Sequence, residues 1–168
     1  MNRYANLILL AVIVVTMTSC KTASQARVEL HSFPVENIEG VADLSGVMYD
    51  PEETYDGNGS LKLQSKRLKK FLLYEIFDLD VEEARMVYSA MVKTKRVRGQ
   101  VYLEMVCDFF TRGEIETDGL QIALTGDNDW KKREIEFVLR RSENPVSVKL
   151  YLVINGSGTV WVDDIHLY

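Results

Sequence analysis

Val148-Lys149-Leu150-Tyr151-Leu152-Val153-Ile154, Asn155-Gly156-Ser157-Gly158 and Thr159-Val160-Trp161-Val162 follow one another near the C-terminus, and the fold turns on how they are read. Both flanks are rich in β-branched and aromatic residues, which suit a pleated, half-buried surface. The Asn-Gly-Ser-Gly run between them predicts a β-hairpin with a four-residue, glycine-bearing loop.

Outward from that stretch, apolar segments recur with turn signals between them. Val28-Glu29-Leu30-His31 alternates, and Leu61-Lys62-Leu63-Gln64 alternates after the turn Asp56-Gly57-Asn58-Gly59-Ser60. Residues 71–77, 101–110, 134–139, 146–154 and 159–167 continue the series. Many short strands separated by Gly, Asn and Asp predict an all-β sandwich or barrel. One segment conflicts: residues 80–91 carry helix formers and an acidic first turn. Met86, Tyr88, Ala90 and Val92 nevertheless fall on one face of a strand. The expectation is one helical turn at 80–84 followed by a strand from about residue 85 to residue 94.

The N-terminus reads as an address. Arg3 precedes an unbroken apolar run over residues 7–15, and Met17-Thr18-Ser19-Cys20 follows. That run is too short to span a bilayer as a helix, which needs ~20 residues, and it suits a secretory signal. An uncleaved anchor and a signal cut elsewhere are the alternatives. Small residues directly before Cys20, with a polar spacer after it, predict a bacterial lipoprotein signal at residues 1–19. The expected layout is lipidated Cys20 with a tether at 20–27 and a β-sandwich domain at 28–168. The expected location is the bacterial cell envelope, with a lipid on Cys20 holding the chain to a membrane. Lys21 stands where an aspartate would signal inner-membrane retention, so the outer membrane is favoured.

The formal net charge is −5, so no global footprint for nucleic acid exists. Once Cys20 is acylated, Cys107 has no intrachain partner, and its apolar run predicts a buried small hydrophobe. His31, His166 and Cys107 form no zinc-ligand pattern. No G-x-S-x-G elbow presents a serine, and His166 two residues from Asp164 is insufficient for a triad. The chain is expected not to be an enzyme. Two basic clusters, residues 66–70 and 93–98, adjoin turns and read as solvent-facing segments, with contact to an anionic polymer, lipid headgroups or lipopolysaccharide phosphates as the alternative.

The series Asp129-Trp130 through Phe137, Val148 through Leu152, and Gly158-Thr159-Val160-Trp161-Val162-Asp163-Asp164-Ile165-His166-Leu167 resembles the closing strands of carbohydrate-binding-module and galactose-binding-like jelly rolls. Gly59-Ser60-Leu61-Lys62-Leu63 and Tyr88-Ser89-Ala90-Met91-Val92-Lys93 are similar to earlier strands of the same group. The resemblance implies a jelly-roll β-sandwich that needs no cofactor for its function. It also implies a structural calcium ion, matched by Asp163 or Asp164 in the final strand, with Glu39 and the carbonyls near Asp56-Gly57-Asn58 as partners. The family's N-terminal signature is matched only loosely, by Asn37-Ile38-Glu39-Gly40. It places Trp130 and Trp161 in the core or at a seam.

Binding of a glycan or another envelope polymer is the function this points to. Sugars stack on aromatic faces that have a polar edge nearby. Tyr49, Tyr55, Tyr102, Phe110 and Tyr151 are candidates. On the strand 101–110, Val101, Leu103, Met105, Cys107 and Phe109 form a wholly apolar set that should face the core. Tyr102, Glu104, Val106, Asp108 and Phe110 then face out, and Tyr102, Glu104, Asp108 and Phe110 are the expected ligand-binding residues. The competing expectation is a structural lipoprotein whose sandwich binds an envelope protein and no sugar.

Overall fold

The computed structural model describes residues 27–168. The expected signal at 1–19, Cys20 and most of the tether lie outside the described residues. The strands are β1 (His31–Phe33), β2 (Val47–Asp50), β3 (Ser60–Ser65), β4 (Lys69–Phe77), β5 (Arg85–Phe109), β6 (Gly113–Asp118), β7 (Leu124–Val138) and β8 (Ser147–Leu167). A single 3-10 turn at Leu120–Ile122 is the only helical element among the described residues. Every strand pairing is antiparallel.

Two strands organise everything else. β5 and β8 pair from Asp108↔Ser147 to Tyr88↔Leu167, and each contributes to two leaves of a sandwich. In the first leaf β4 pairs with residues 147–154 of β8, which pair with residues 101–108 of β5, which pair with β6. In the second, β2 pairs with β3, β3 with residues 158–162 of β8, and the first half of β5 with both β8 and β7. β1 adds to the end of β8, His31 opposite Leu167. The core lies between the leaves. Phe71, Leu103, Met105, Leu150 and Leu152 come from one side, and Leu61, Met86, Tyr88, Val160 and Val162 from the other, all essentially fully buried. The Tyr88 hydroxyl is buried there without a hydrogen-bond partner, and burial pushes its phenol strongly upward in pKa.

The expected hairpin at 155–158 is therefore corrected: residues 147–167 are one strand that bends between the leaves. The reason is backbone proximity. Gly99 lies opposite Gly156, and a Cβ on either would run into the other strand's backbone, at the Asn155 or the Arg98 carbonyl oxygen. Gly156 holds φ 140 and Gly99 φ 121, a region that favours glycine. The glycines let two strands cross a corner in contact, which turn chemistry alone does not reveal.

The helical turn expected at 80–84 is also absent. Asp78 and Glu83 take positive φ, and the segment bonds outward instead. Glu83 N–H donates to Arg140 O, and Leu139 N–H donates to Ala84 O at 2.8 Å. Pairing with the end of β7 replaces the local bonds that a helical turn needs. The strand expected from about residue 85 is present as the start of β5. The N-terminal strand begins later than the alternation at 28–31 indicates, at His31.

Candidate functional site

The outer face of the first leaf carries the grouped polar and aromatic side chains. Cross-strand register lays them out in rows, because residues directly opposite share a face. Lys70, Val153 and Tyr102 form the row nearest the glycine corner. Next come Leu72, Tyr151, Glu104 and Asp118, then Glu75, Lys149, Val106 and Glu116, then Phe77, Ser147, Asp108 and Glu114. From the first row to the last is six residues, or about 20 Å at ~3.3 Å per residue.

The middle of this face is covered by its neighbours. Val153, Glu104 and Val106 are buried although they point away from the core, while Tyr102, Tyr151, Leu72 and Lys149 are half-buried around them. Lys70 Nζ donates to Glu104 Oε1 at 2.7 Å and lies 3.5 Å from Glu116. The hydrogen bond to Glu104 holds the Lys70 ammonium above its usual range. Lys149 bridges Glu114 and Glu75, and Ser147 Oγ donates to Glu75 at 3.2 Å. Burial, with Glu104 nearby, raises the Tyr102 phenol, and burial raises that of Tyr151. Both are thus neutral hydroxyls that donate as well as accept. Six carboxylates (Glu75, Glu104, Asp108, Glu114, Glu116 and Asp118) stand against two lysines on this face, so it is acidic overall.

Of the residues expected to bind ligand, Tyr102, Glu104 and Asp108 share this face. Phe110 does not: β5 ends at Phe109, and Phe110 stands 94% exposed in the turn to β6. The face gains Tyr151, Lys70 and Lys149, which the alternation along 101–110 does not contain. Alternation along 147–154 marks Lys149 and Tyr151 as outward, but only the register sets them beside Glu104 and Val106. Lys70 belongs to a cluster that reads from sequence as plain solvent-facing charge.

The other tyrosine candidates lie elsewhere. Tyr49 donates its hydroxyl to Asn58 O, which locks the β2–β3 loop. Tyr55 is half exposed and packs at a tilt on Trp130, centroids 6.1 Å apart, over the second leaf. Trp161 is buried beneath the β2–β3 loop, its indole N–H donating to Asp50 Oδ2 at 2.9 Å. That bond holds the Asp50 carboxyl down to about 2.

The expected calcium ligands are not gathered as a cation would need. Among the described residues no three His, Cys, Asp or Glu side chains come together to hold a metal. Asp163 is fully buried, and its carboxylate accepts N–H groups: Tyr55 N–H on Oδ2 at 2.9 Å and Asp164 N–H on Oδ1 at 2.8 Å. Burial raises its pKa. Donor hydrogens around a carboxylate suit an anion's surroundings, whereas calcium wants six to eight oxygens. Asp163 instead ties the β2–β3 loop directly to the last strand. Asp56 serves its own turn by accepting Asn58 N–H, Asp164 holds His166 at 2.9 Å, and Glu39 lies exposed before β2. His166 has both ring nitrogens engaged, by Glu29 and Asp164. Neither nitrogen faces a hydroxyl or thiol that it could activate.

No protein-family model matches the sequence, and no curated protein matches it. Solved structures do match. One is the CBM22-1 xylan-binding domain from Paenibacillus barcinonensis Xyn10C, 17% identical over 86% of this chain and 96% of that one, with a TM-score of 0.62. Another is a family 16 carbohydrate-binding module, 14% identical over 80% and 95% of the two chains, with a TM-score of 0.59. A third is a family 22 xylan-binding domain, 9% identical over 83% and 93%, with a TM-score of 0.55. At these identities the likeness is one of backbone architecture, and the chain has the jelly-roll β-sandwich fold of carbohydrate-binding modules.

Proposed function

We propose that this domain binds a neutral glycan chain, without catalysis, on the outer face of the first leaf. The observation that carries the reading is the placement of Tyr102 and Tyr151 around buried Glu104 and its Lys70 partner. Aromatic faces supply stacking area, and the carboxylates accept hydrogen bonds from sugar hydroxyls. The acidic balance of the face disfavours a ligand with acid groups of its own. Neighbours of the same fold described as xylan-binding support the ligand class. The expected lipid on Cys20 and a short tether would keep the groove near a membrane, in the bacterial envelope and at its outer membrane.

Affinity electrophoresis in gels containing soluble xylan, mixed-linkage glucan or galactan tests the groove. Wild-type protein is retarded by at least one of them. Tyr102→Ala and Tyr151→Ala each weaken retention about tenfold or more, as loss of a stacking platform of ~1.5 kcal/mol requires. Tyr55→Ala leaves it unchanged. Retention that survives both groove substitutions refutes the site. No retention on any neutral glycan, with an envelope protein co-purifying instead, favours the partner-protein reading. The exposed Phe77, Phe110 and Val146 near the far end of the groove are the observation behind that alternative. Labelled palmitate incorporation, lost in Cys20→Ala, tests the anchor.

A further inference from the structure

The glycine corner carries a second feature, independent of the groove. Lys66 and Arg67 in the β3–β4 turn meet Lys95, Arg96 and Arg98 at the bend of β5. The register sets Lys95 opposite Thr159, Arg98 opposite Ser157, and Ser65 opposite Gly158. All five cations are exposed. Lys66, Arg67 and Arg96 line an open cavity of about 510 Å³ with Gln64, Ser65 and Thr159, and no carboxylate lines it.

Their charges are left unanswered. On the outer faces elsewhere, single lysines collect two carboxylates each: Lys70 takes Glu104 and Glu116, Lys93 takes Glu53 and Asp129, and Lys149 takes Glu75 and Glu114. At the corner, none of the five forms an ion pair among the described residues. Asp127 accepts the backbone N–H of Arg96 and holds that residue at φ 55. It bonds the main chain there and no side chain of the cluster. Clustered like charges repel one another, so an acidic protein that leaves five together has left a surface complementary to an anion.

We propose that this corner binds an anionic polysaccharide through its sulfate, phosphate or carboxylate groups. Arginine forks pair bidentately with such oxyanions, and the hydroxyl and amide groups of Ser65, Thr159 and Gln64 suit the sugar hydroxyls between them. No aromatic ring lines the cavity, so it has no stacking platform of the kind single-stranded nucleic acid uses. With the proposed lipid on Cys20, a bilayer is disfavoured by direction. The chain enters at the opposite end of β8, where the Arg27 guanidinium lies over the Tyr168 ring, ten residues beyond Gly158. The protein then carries two carbohydrate surfaces of opposite charge, an acidic groove and a basic corner.

The test compares full-length Cys20→Ser protein in gels containing dextran sulfate or neutral dextran, and on phosphatidylglycerol vesicles. Dextran sulfate retards the protein, salt abolishes the effect, and neutral dextran has none. Lys66→Gln/Arg67→Gln/Arg96→Gln weakens retention about tenfold or more, as loss of charge-assisted contacts predicts. Lys66→Gln/Arg67→Gln, confined to an exposed turn, weakens it in the same direction and guards against misfolding of the triple variant. Arg85→Gln/Lys132→Gln/Arg141→Gln makes the same change in net charge elsewhere and leaves retention within about threefold of wild type, since surface pairs contribute little. Equal losses in the two triple variants, no retention of wild type, or binding to vesicles without binding to dextran sulfate each overturn the proposal. Neutral-glycan retention unaffected by the corner variants keeps this outcome separate from that of the groove.

Discussion

Gly156→Ala separates a bent continuous strand from a hairpin loop. In the structure the new Cβ lands on the Arg98 carbonyl oxygen, 3.0 Å from the Arg98 carbonyl carbon and 3.1 Å from Gly99 Cα. All three are backbone atoms of the facing strand, so no rotamer change relieves the clash. Holding alanine at φ 140 adds about 1–2 kcal/mol. Forcing a methyl group into a closed contact adds about 1–3 kcal/mol. The expected loss is therefore about 2–5 kcal/mol, which lowers the melting temperature by roughly 5–20 °C in a domain of this size. Gly57→Ala is the control: Gly57 has φ 102 and nothing within 4 Å of its added Cβ. It carries only the conformational part, about 1–2 kcal/mol. Urea unfolding followed by tryptophan fluorescence gives both values. If Gly156→Ala costs no more than Gly57→Ala, residues 155–158 are an open loop and the corner described above is wrong.

Four further outcomes follow from the packing. Asp50 titrates at about 2 when folded, against 3.8 in an unfolded chain, because the Trp161 indole and Lys62 favour its charged form. Its contribution, about 2 kcal/mol at 1.36 per pH unit, is present above pH 4 and lost as pH falls through about 2; Asp50→Ala should flatten that limb of an acid titration of stability. Tyr88→Phe removes a buried hydroxyl with no partner, so it should be neutral or stabilising in urea melts, and a loss above about 1 kcal/mol would show that the hydroxyl is satisfied. Burial holds the Cys107 thiol at about 12, so in Cys20→Ser protein at pH 8 a thiol reagent should label it only after urea is added; stoichiometric labelling of native protein contradicts the placement. Because Asp163 is satisfied by backbone N–H groups, EDTA and added calcium should leave the melting temperature unchanged, and a rise with calcium would reinstate the ion.

Fold class was legible because burial writes itself into alternation. The apolar set Val101, Leu103, Met105, Cys107 and Phe109 does face the core, and the closing run through Trp161 and Leu167 carries the pattern of a jelly-roll ending. The candidate site was legible in part. Tyr102, Glu104 and Asp108 follow from one strand's alternation, whereas Lys70, Lys149 and Tyr151 depend on which strands lie beside it. Phe110 was misplaced because alternation does not mark where a strand stops. The family resemblance implies Asp163 as a metal ligand, and only the tertiary structure brings the Tyr55 amide to it.

By itself the sequence determined the all-β class and the inward and outward faces of residues 101–109. These are local properties, set by side-chain period and by short motifs. Tertiary structure alone decided that Asn155-Gly156-Ser157-Gly158 continues a strand instead of turning it. The same glycines permit a hairpin or a close crossing, and the choice between them belongs to the strand lying opposite. Gly99 sits 57 residues before its partner Gly156, too distant for any local pattern to register. The contact at that corner bends β5 and β8 from one leaf into the other. It thereby sets the face bearing Tyr102 and Tyr151 on one leaf and brings five cations from separate segments to one edge.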